Sequence, residues 1–158
     1  MIALDLRTIY LTLTLANLVS IFVVASFYSQ LKNRYAGLQL IVLSFILPGL
    51  GLSLLLFRDF FADWLSIILG NSLVIIGSIF LLFGLSKFIG KKVTKSPFLI
   101  LFLVFFGINA FLTFYKYDLN FRIINSSLFS TIIYLQIVWI LLEKRVMGSF
   151  SMTRGVGI

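Results

Sequence analysis

Residues 70–84 read GNSLVIIGSIFLLFG, with a glycine at each end, a glycine at the centre and no charge between them. They sit inside a longer uncharged run, about 64–86, and a helix of that length crosses a hydrocarbon core roughly 30 Å thick. Further uncharged runs occupy about 8–31, 35–57, 96–115 and 123–142. A buried helix of a soluble protein would be shorter and flanked by polar turns. A transmembrane β-barrel would need ~10-residue segments of alternating polarity, and SPFLILFLVFFGINAFLTFY at 96–115 does not alternate. With 61% of residues hydrophobic and 11% charged, the expected fold is an all-α integral membrane protein. It is a bundle of five transmembrane helices over 1–145, followed by a short tail, 146–158. The connections are short, so consecutive helices are antiparallel neighbours.

The formal charge of +8 does not indicate nucleic acid, because the 13 Lys and Arg residues lie in short clusters between apolar runs. Such clusters orient a membrane protein and touch anionic lipid, so membrane lipids are the expected partners. The tail before the first run holds one basic residue, 32–34 two, 58–63 one, 87–95 four, 116–122 two, and the chain after 142 three. One side therefore carries nine and the other four, which places the N-terminus outside and the C-terminus in the cytoplasm. Trp64, Tyr115 and Tyr117 are expected as anchors at the outer interface, with ordinary packing as the alternative. A cleaved signal peptide ending at VVA, 23–25, is the alternative for the first run. It is disfavoured because the run continues past that site and its leading tail has only Arg7, balanced by Asp5.

Seven residues are close to two helical turns, so Gly70, Gly77 and Gly84 form one stripe that drifts by only ~20° per step, and Ser66 extends it. In lipid, helices associate by packing, and small residues let backbones approach. The stripe is expected to be a helix-packing groove for another helix of this chain or of a second subunit, crossing at about +20°. A leucine at Gly77 should damage the bundle, whereas one at Ile79, about 200° away around the helix, should not. In the second run, LPGLGLS at 47–53 combines Pro48, Gly49 and Gly51 and marks an expected kink or local unwinding. Asn125 and Gln136, eleven residues apart, are expected on one polar face of the fifth helix.

All five acids, Asp5, Asp59, Asp63, Asp118 and Glu143, fall at the expected membrane edges, and no Lys or Arg lies mid-span. Pumps and proton-coupled carriers place ionisable groups inside the bundle. The chain has no histidine and no cysteine. General acid–base, metal and thiol mechanisms therefore lack their parts, and neither a catalytic residue, a metal site nor a cofactor is expected. An internal echo aligns ADWLSIILGNSL at 62–73 with YDLNFRIINSSL at 117–128, an offset of 55. Repeats of that kind would run parallel.

Three stretches carry a resemblance: LDLRT at 4–8; YAGLQLIVLSFILPGLGLSLLLFRDFFADWLSIILGNSLVIIGSIFLLFGLSKFIGKK across the second and third runs; and DLNFRIINSSLF at 118–129. Together they resemble the N-terminal multi-span membrane (sensor or input) module that precedes the GGDEF domain of bacterial diguanylate cyclases. Such modules usually carry further spans and then a cytoplasmic enzyme, whereas the closing residues RVMGSFSMTRGVGI hold neither. The resemblance implies a multi-pass protein of the bacterial inner (plasma) membrane. It implies a non-enzymatic sensory or regulatory input role, or a truncated relative of one, and brings no binding residues with it. Its expected partners are a second copy of the chain or another membrane or cytoplasmic protein. Two rivals stay open: a small structural subunit of a larger membrane complex, and a carrier for a small uncharged solute.

Overall fold

The computed structural model describes residues 6–32, 35–57, 60, 62–115 and 119–147. They form five α-helices, α1 Leu6–Leu31, α2 Leu38–Leu56, α3 Asp63–Phe88, α4 Ser96–Phe114 and α5 Leu119–Met147, and no strand occurs among them. Each helix is long and apolar enough to cross a membrane. Asp5, Asp59, Tyr117, Asp118 and the tail beyond Met147 lie outside the described residues. In a hydrocarbon solvent an unpaired backbone group costs several kcal/mol, so an uncharged 20-residue run has little alternative to closing all its hydrogen bonds within a helix.

α3 is the hub. It packs on α2 on one side and on α4 and α5 on the other, while α1 packs chiefly on α2. Over its most apolar stretch, 56% of α3 is buried inside the protein, against 6% of α1. The core opposite the glycines is built from Ile75, Ile79 and Leu82 of α3, Phe98 and Phe105 of α4, and Phe129, Ile133, Ile137 and Ile140 of α5. Steps of three and four residues keep each set on one helix face. Phe105 meets Phe129 edge-on at 5.4 Å between ring centres, and Phe83 meets Phe98 at the same distance. Such pairs add about 0.5–1.5 kcal/mol beyond area burial. Ile79, 7% exposed, belongs to this core, where leucine keeps the volume and hydrophobicity of isoleucine and should cost less than ~1.5 kcal/mol.

α5 begins four residues earlier than the uncharged run, which brings Arg122 into its first turns. Arg122, counted with the 116–122 connection in the sequence, is helical and buried. Trp64 and Tyr115 are both exposed at the same end of the bundle, where Trp64 packs against Phe114. α3 and α5 run parallel, each being antiparallel to α4. Ser78 of α3 touches Tyr134 of α5 across a sequence separation of 56. The two echo segments, offset by 55, therefore lie side by side at nearly the same level.

Two glycines with positive φ shape the ends of the hub pair. Gly37, at φ 94°, precedes the first turn of α2, and Gly90, at φ 75°, follows the last turn of α3. Side chains with a Cβ rarely tolerate that region. The Gly90 N–H donates to the Lys87 carbonyl at 3.1 Å and the Lys91 N–H donates to the Ser86 carbonyl at 2.8 Å, the Schellman arrangement that closes a helix. The chain leaves this turn with Lys91 directed to α5, where it pairs with Glu143.

Candidate functional site

The α2–α3 seam is a register of small residues on both helices. A Cβ added at Gly84 would lie 2.7 Å from Ile41 and 3.2 Å from the Gly37 carbonyl oxygen. At Gly70 it would lie 2.8 Å from Leu55 and 3.0 Å from the Gly51 oxygen. At Gly77 it would lie 2.5 Å from two ring carbons of Pro48 and 3.1 Å from the Ser44 oxygen. The relation is reciprocal: a Cβ at Gly37 or at Gly51 would lie 2.5 Å from the carbonyl oxygen of Gly84 or Gly70. Gly37, at the N-cap of α2, and Ser44 and Gly51 within it thus form a heptad that faces Gly84, Gly77 and Gly70 one to one. That second heptad, 37–44–51, is present in the sequence but hidden behind the more conspicuous Pro48–Gly49 pair. Ser66, at the far end of the α3 stripe, is buried.

Pro48, Gly49 and Gly51 do not unwind α2, which is unbroken from Leu38 to Leu56. Each small residue instead meets a different neighbour. Pro48 is a knob whose ring fills the notch at Gly77, and Gly51 seats the backbone of Gly70. Gly49 faces α1, where an added Cβ would lie 2.6 Å from Asn17 Oδ1 and 2.9 Å from Ile21. The carbonyl deprived of its donor by Pro48, that of Ser44, faces α3, with its oxygen 3.1 Å from where a Cβ of Gly77 would stand. Close backbone approach of this kind brings Cα–H groups to carbonyl oxygens and offsets part of the lost bond.

Beside the Pro48–Gly77 contact lies a cavity of about 140 Å³ where α1, α2, α3 and α5 meet. Its polar lining comes from Asn17 of α1, Ser44 of α2, Ser78 of α3 and Tyr134 of α5. Ser78 Oγ is within 3.1 Å of the Val74 carbonyl, to which it donates, and within 3.4 Å of the Tyr134 hydroxyl. Asn17 Oδ1 is buried and has no hydrogen-bond partner among the described residues. No ionisable carboxylate or amine lines the space. Chemically, the cavity offers neutral hydrogen-bonding groups on otherwise apolar walls.

Asn125 and Gln136 share one angular face of α5 but not one environment. Asn125 is buried while Gln136 is exposed, because the buried stripe of α5 follows 129, 133, 137 and 140 and leaves 136 beside it. Asn125 belongs to a different group. The Phe105–Phe129 contact sets the register of the antiparallel α4–α5 pair, so one turn further Asn109 and Asn125 stand at the same level. The Phe83–Phe98 contact likewise brings Ser72 of α3 level with Asn109. Asn109 is 0% exposed, and both of its amide atoms, Asn125 Nδ2 and Ser72 Oγ have no hydrogen-bond partner among the described residues. This layer supplies interhelical hydrogen-bonding capacity at one depth of the α3–α4–α5 core, about 0.6–2 kcal/mol per contact once satisfied. The separate Asn and Ser positions are visible in the sequence; their convergence depends on register.

Among the described residues no group of three His, Cys, Asp or Glu side chains converges. Lys91 Nζ pairs with Glu143 Oε2, both about two-thirds buried, which ties the α3–α4 connection to the distal part of α5. Comparison of the chain with protein-family models, curated proteins and solved structures finds no match.

Proposed function

We propose that this chain is a non-enzymatic sensory or regulatory input module of the bacterial inner membrane, in which the state of the Pro48–Gly77 cavity is passed to α5. The observation that carries the reading is Tyr134. It lines the cavity, touches Ser78 of the hub helix, and belongs to a 29-residue helix. At 1.5 Å per residue α5 is about 44 Å long, more than the ~30 Å hydrocarbon core, so a displacement at Tyr134 is carried beyond the membrane. The Lys91–Glu143 pair sits near that end and gives α5 a defined resting position against the α3–α4 connection. The resemblance to the membrane modules of GGDEF proteins supports the same reading and points to a cytoplasmic partner or a second copy as the receiver.

Because the chain has no cysteine, a pair of introduced cysteines reports on α5 without background. Lys92 and Leu142 are both exposed and suit spin labels. Val74→Phe fills the cavity from α3, and the Lys92–Leu142 distance should then shift by about 1–2 Å, the size of helix displacements in switching proteins. An unchanged distance distribution would count against transmission through α5.

The orientation in this reading has the first connection, the Lys-rich 87–95 segment and the C-terminus in the cytoplasm. Fusions of alkaline phosphatase at residue 94 and at the C-terminus should be inactive, and a fusion at residue 60 active. The reverse pattern would turn the module over and remove the cytoplasmic receiver.

A further inference from the structure

We infer that the cavity between α1, α2, α3 and α5 is a binding site for a small, neutral, lipid-soluble molecule about the size of a benzene ring that carries a hydroxyl group. This deepens the sensory reading above and rests on it for the consequence of binding, though not for the binding itself. Size comes first. At about 140 Å³ the cavity matches the ~150 Å³ engineered cavities that hold benzene.

Charge comes next: the lining holds no ionisable carboxylate, amine or guanidinium, and it lies within helices that cross hydrocarbon, where an ion would be strongly disfavoured. A neutral ligand can arrive sideways from the bilayer. Tyr134 is 48% exposed and Asn17 is half-buried, so the cavity is open toward the lipid on this side.

The hydroxyl follows from the polar groups. Asn17 Oδ1 is a carbonyl acceptor with no donor in reach, packed into the space that the missing Cβ of Gly49 leaves open. Gly49 does not line the cavity, so Asn17 presents this oxygen to a ligand by turning its carboxamide, whose torsion is broad and roughly two-fold. Opposite it, the Ser78 and Tyr134 hydroxyls already contact each other, and the second can donate onward. A ligand hydroxyl both donates and accepts, and so completes a chain from Asn17 to Tyr134. A plain hydrocarbon of the same size fills the cavity and leaves Asn17 unmet. Leaving a buried acceptor unpaired costs more than the net gain of an ordinary hydrogen bond, which is why the preference should be large.

The test uses the full chain in nanodiscs, with 4-fluorophenol and 4-fluorotoluene as fluorine-NMR probes and empty nanodiscs as reference for partitioning into lipid. The expected result is saturable, protein-dependent binding of 4-fluorophenol about tenfold tighter than that of 4-fluorotoluene. Asn17→Leu should bring the two probes within about twofold of each other, Tyr134→Phe should narrow the gap while leaving the fold intact, and Val74→Phe should abolish binding of both. Equal affinities in the unsubstituted chain, no saturable binding of 4-fluorophenol, or a preference that survives Asn17→Leu would each overturn the inference. The sensory reading fails separately: saturating 4-fluorophenol that leaves the Lys92–Leu142 distance unchanged would keep the site and remove its coupling to α5.

Discussion

Replacing Gly77 with alanine should destabilise the protein, while the same replacement at Gly107 should stabilise it. Alanine is the best helix former, and on propensity alone both changes would gain about 0.8–1 kcal/mol. At Gly107 nothing lies within 4 Å of an added Cβ, so that gain should be seen nearly in full. At Gly77 the new carbon would lie 2.5 Å from two ring atoms of Pro48, and a pyrrolidine ring cannot swing aside as a flexible side chain would. The helices must part, and parting them loosens the flanking Gly37–Gly84 and Gly51–Gly70 contacts as well. Overpacking typically costs about 1–3 kcal/mol, and leucine at Gly77 should reach or exceed the upper end. For a chain of this size that is a fall of roughly 5–10 °C in melting temperature. Thermal unfolding of Gly77→Ala, Gly77→Leu, Gly107→Ala and Gly107→Leu in nanodiscs provides the comparison. If the two positions respond with the same sign, the α2–α3 seam is not closed as described.

On the other side of α3, Phe105→Ala should cost far more than Phe106→Ala. Phe105 is 0% exposed and meets Phe129 edge-on, whereas its neighbour Phe106 is 40% exposed. In a soluble core the change at a buried Phe costs about 3–5 kcal/mol, the sum of lost transfer energy and a cavity. In lipid the transfer part is small, since hydrocarbon is no worse a solvent for phenylalanine than the core, and the cavity and lost dispersion contacts remain. The expected loss is therefore near or a little below ~3 kcal/mol for Phe105→Ala, and under ~1 kcal/mol for Phe106→Ala. Equal losses at the two positions would mean that α4 is rotated relative to α3 and α5.

These two experiments probe the two sides of α3, and the sides were not equally legible. Five spans are readable from the chain alone, because a bilayer leaves an uncharged run of about 20 residues few structures other than a helix, and charged clusters mark where each run stops. The α3 glycine heptad is equally plain, since side-chain size is a property of the residue and its spacing a property of the helix. The partner of that heptad, the matching 37–44–51 series, depends on which helix lies alongside and at what register. Pro48 shows the difference most clearly. As a residue it marks a kink or local unwinding of α2; that its ring is a knob seated in the notch at Gly77, within a helix continuous from Leu38 to Leu56, depends on the neighbouring helix.

Asn125, Gln136 and Arg122 mark where reading by pattern stops. In water, the apolar stripe of a helix shows which side faces in; in lipid, every side is apolar, and the contrast that would point inward is gone. Asn125 and Gln136 share a face by angle, yet one is buried and the other exposed. Arg122 lies just before an uncharged run and is nevertheless buried. The chain by itself determined that there are five helices long and apolar enough to cross a membrane, where they begin and end to within a few residues, and that one side of α3 would be approached closely, because these follow from local length, charge and size. Tertiary structure alone decided that α2 fills that side, that Asn17 and Tyr134 converge on one cavity, and that Asn109 stands level with Asn125, because in a solvent as apolar as the core, helix orientation is set by packing shape and register.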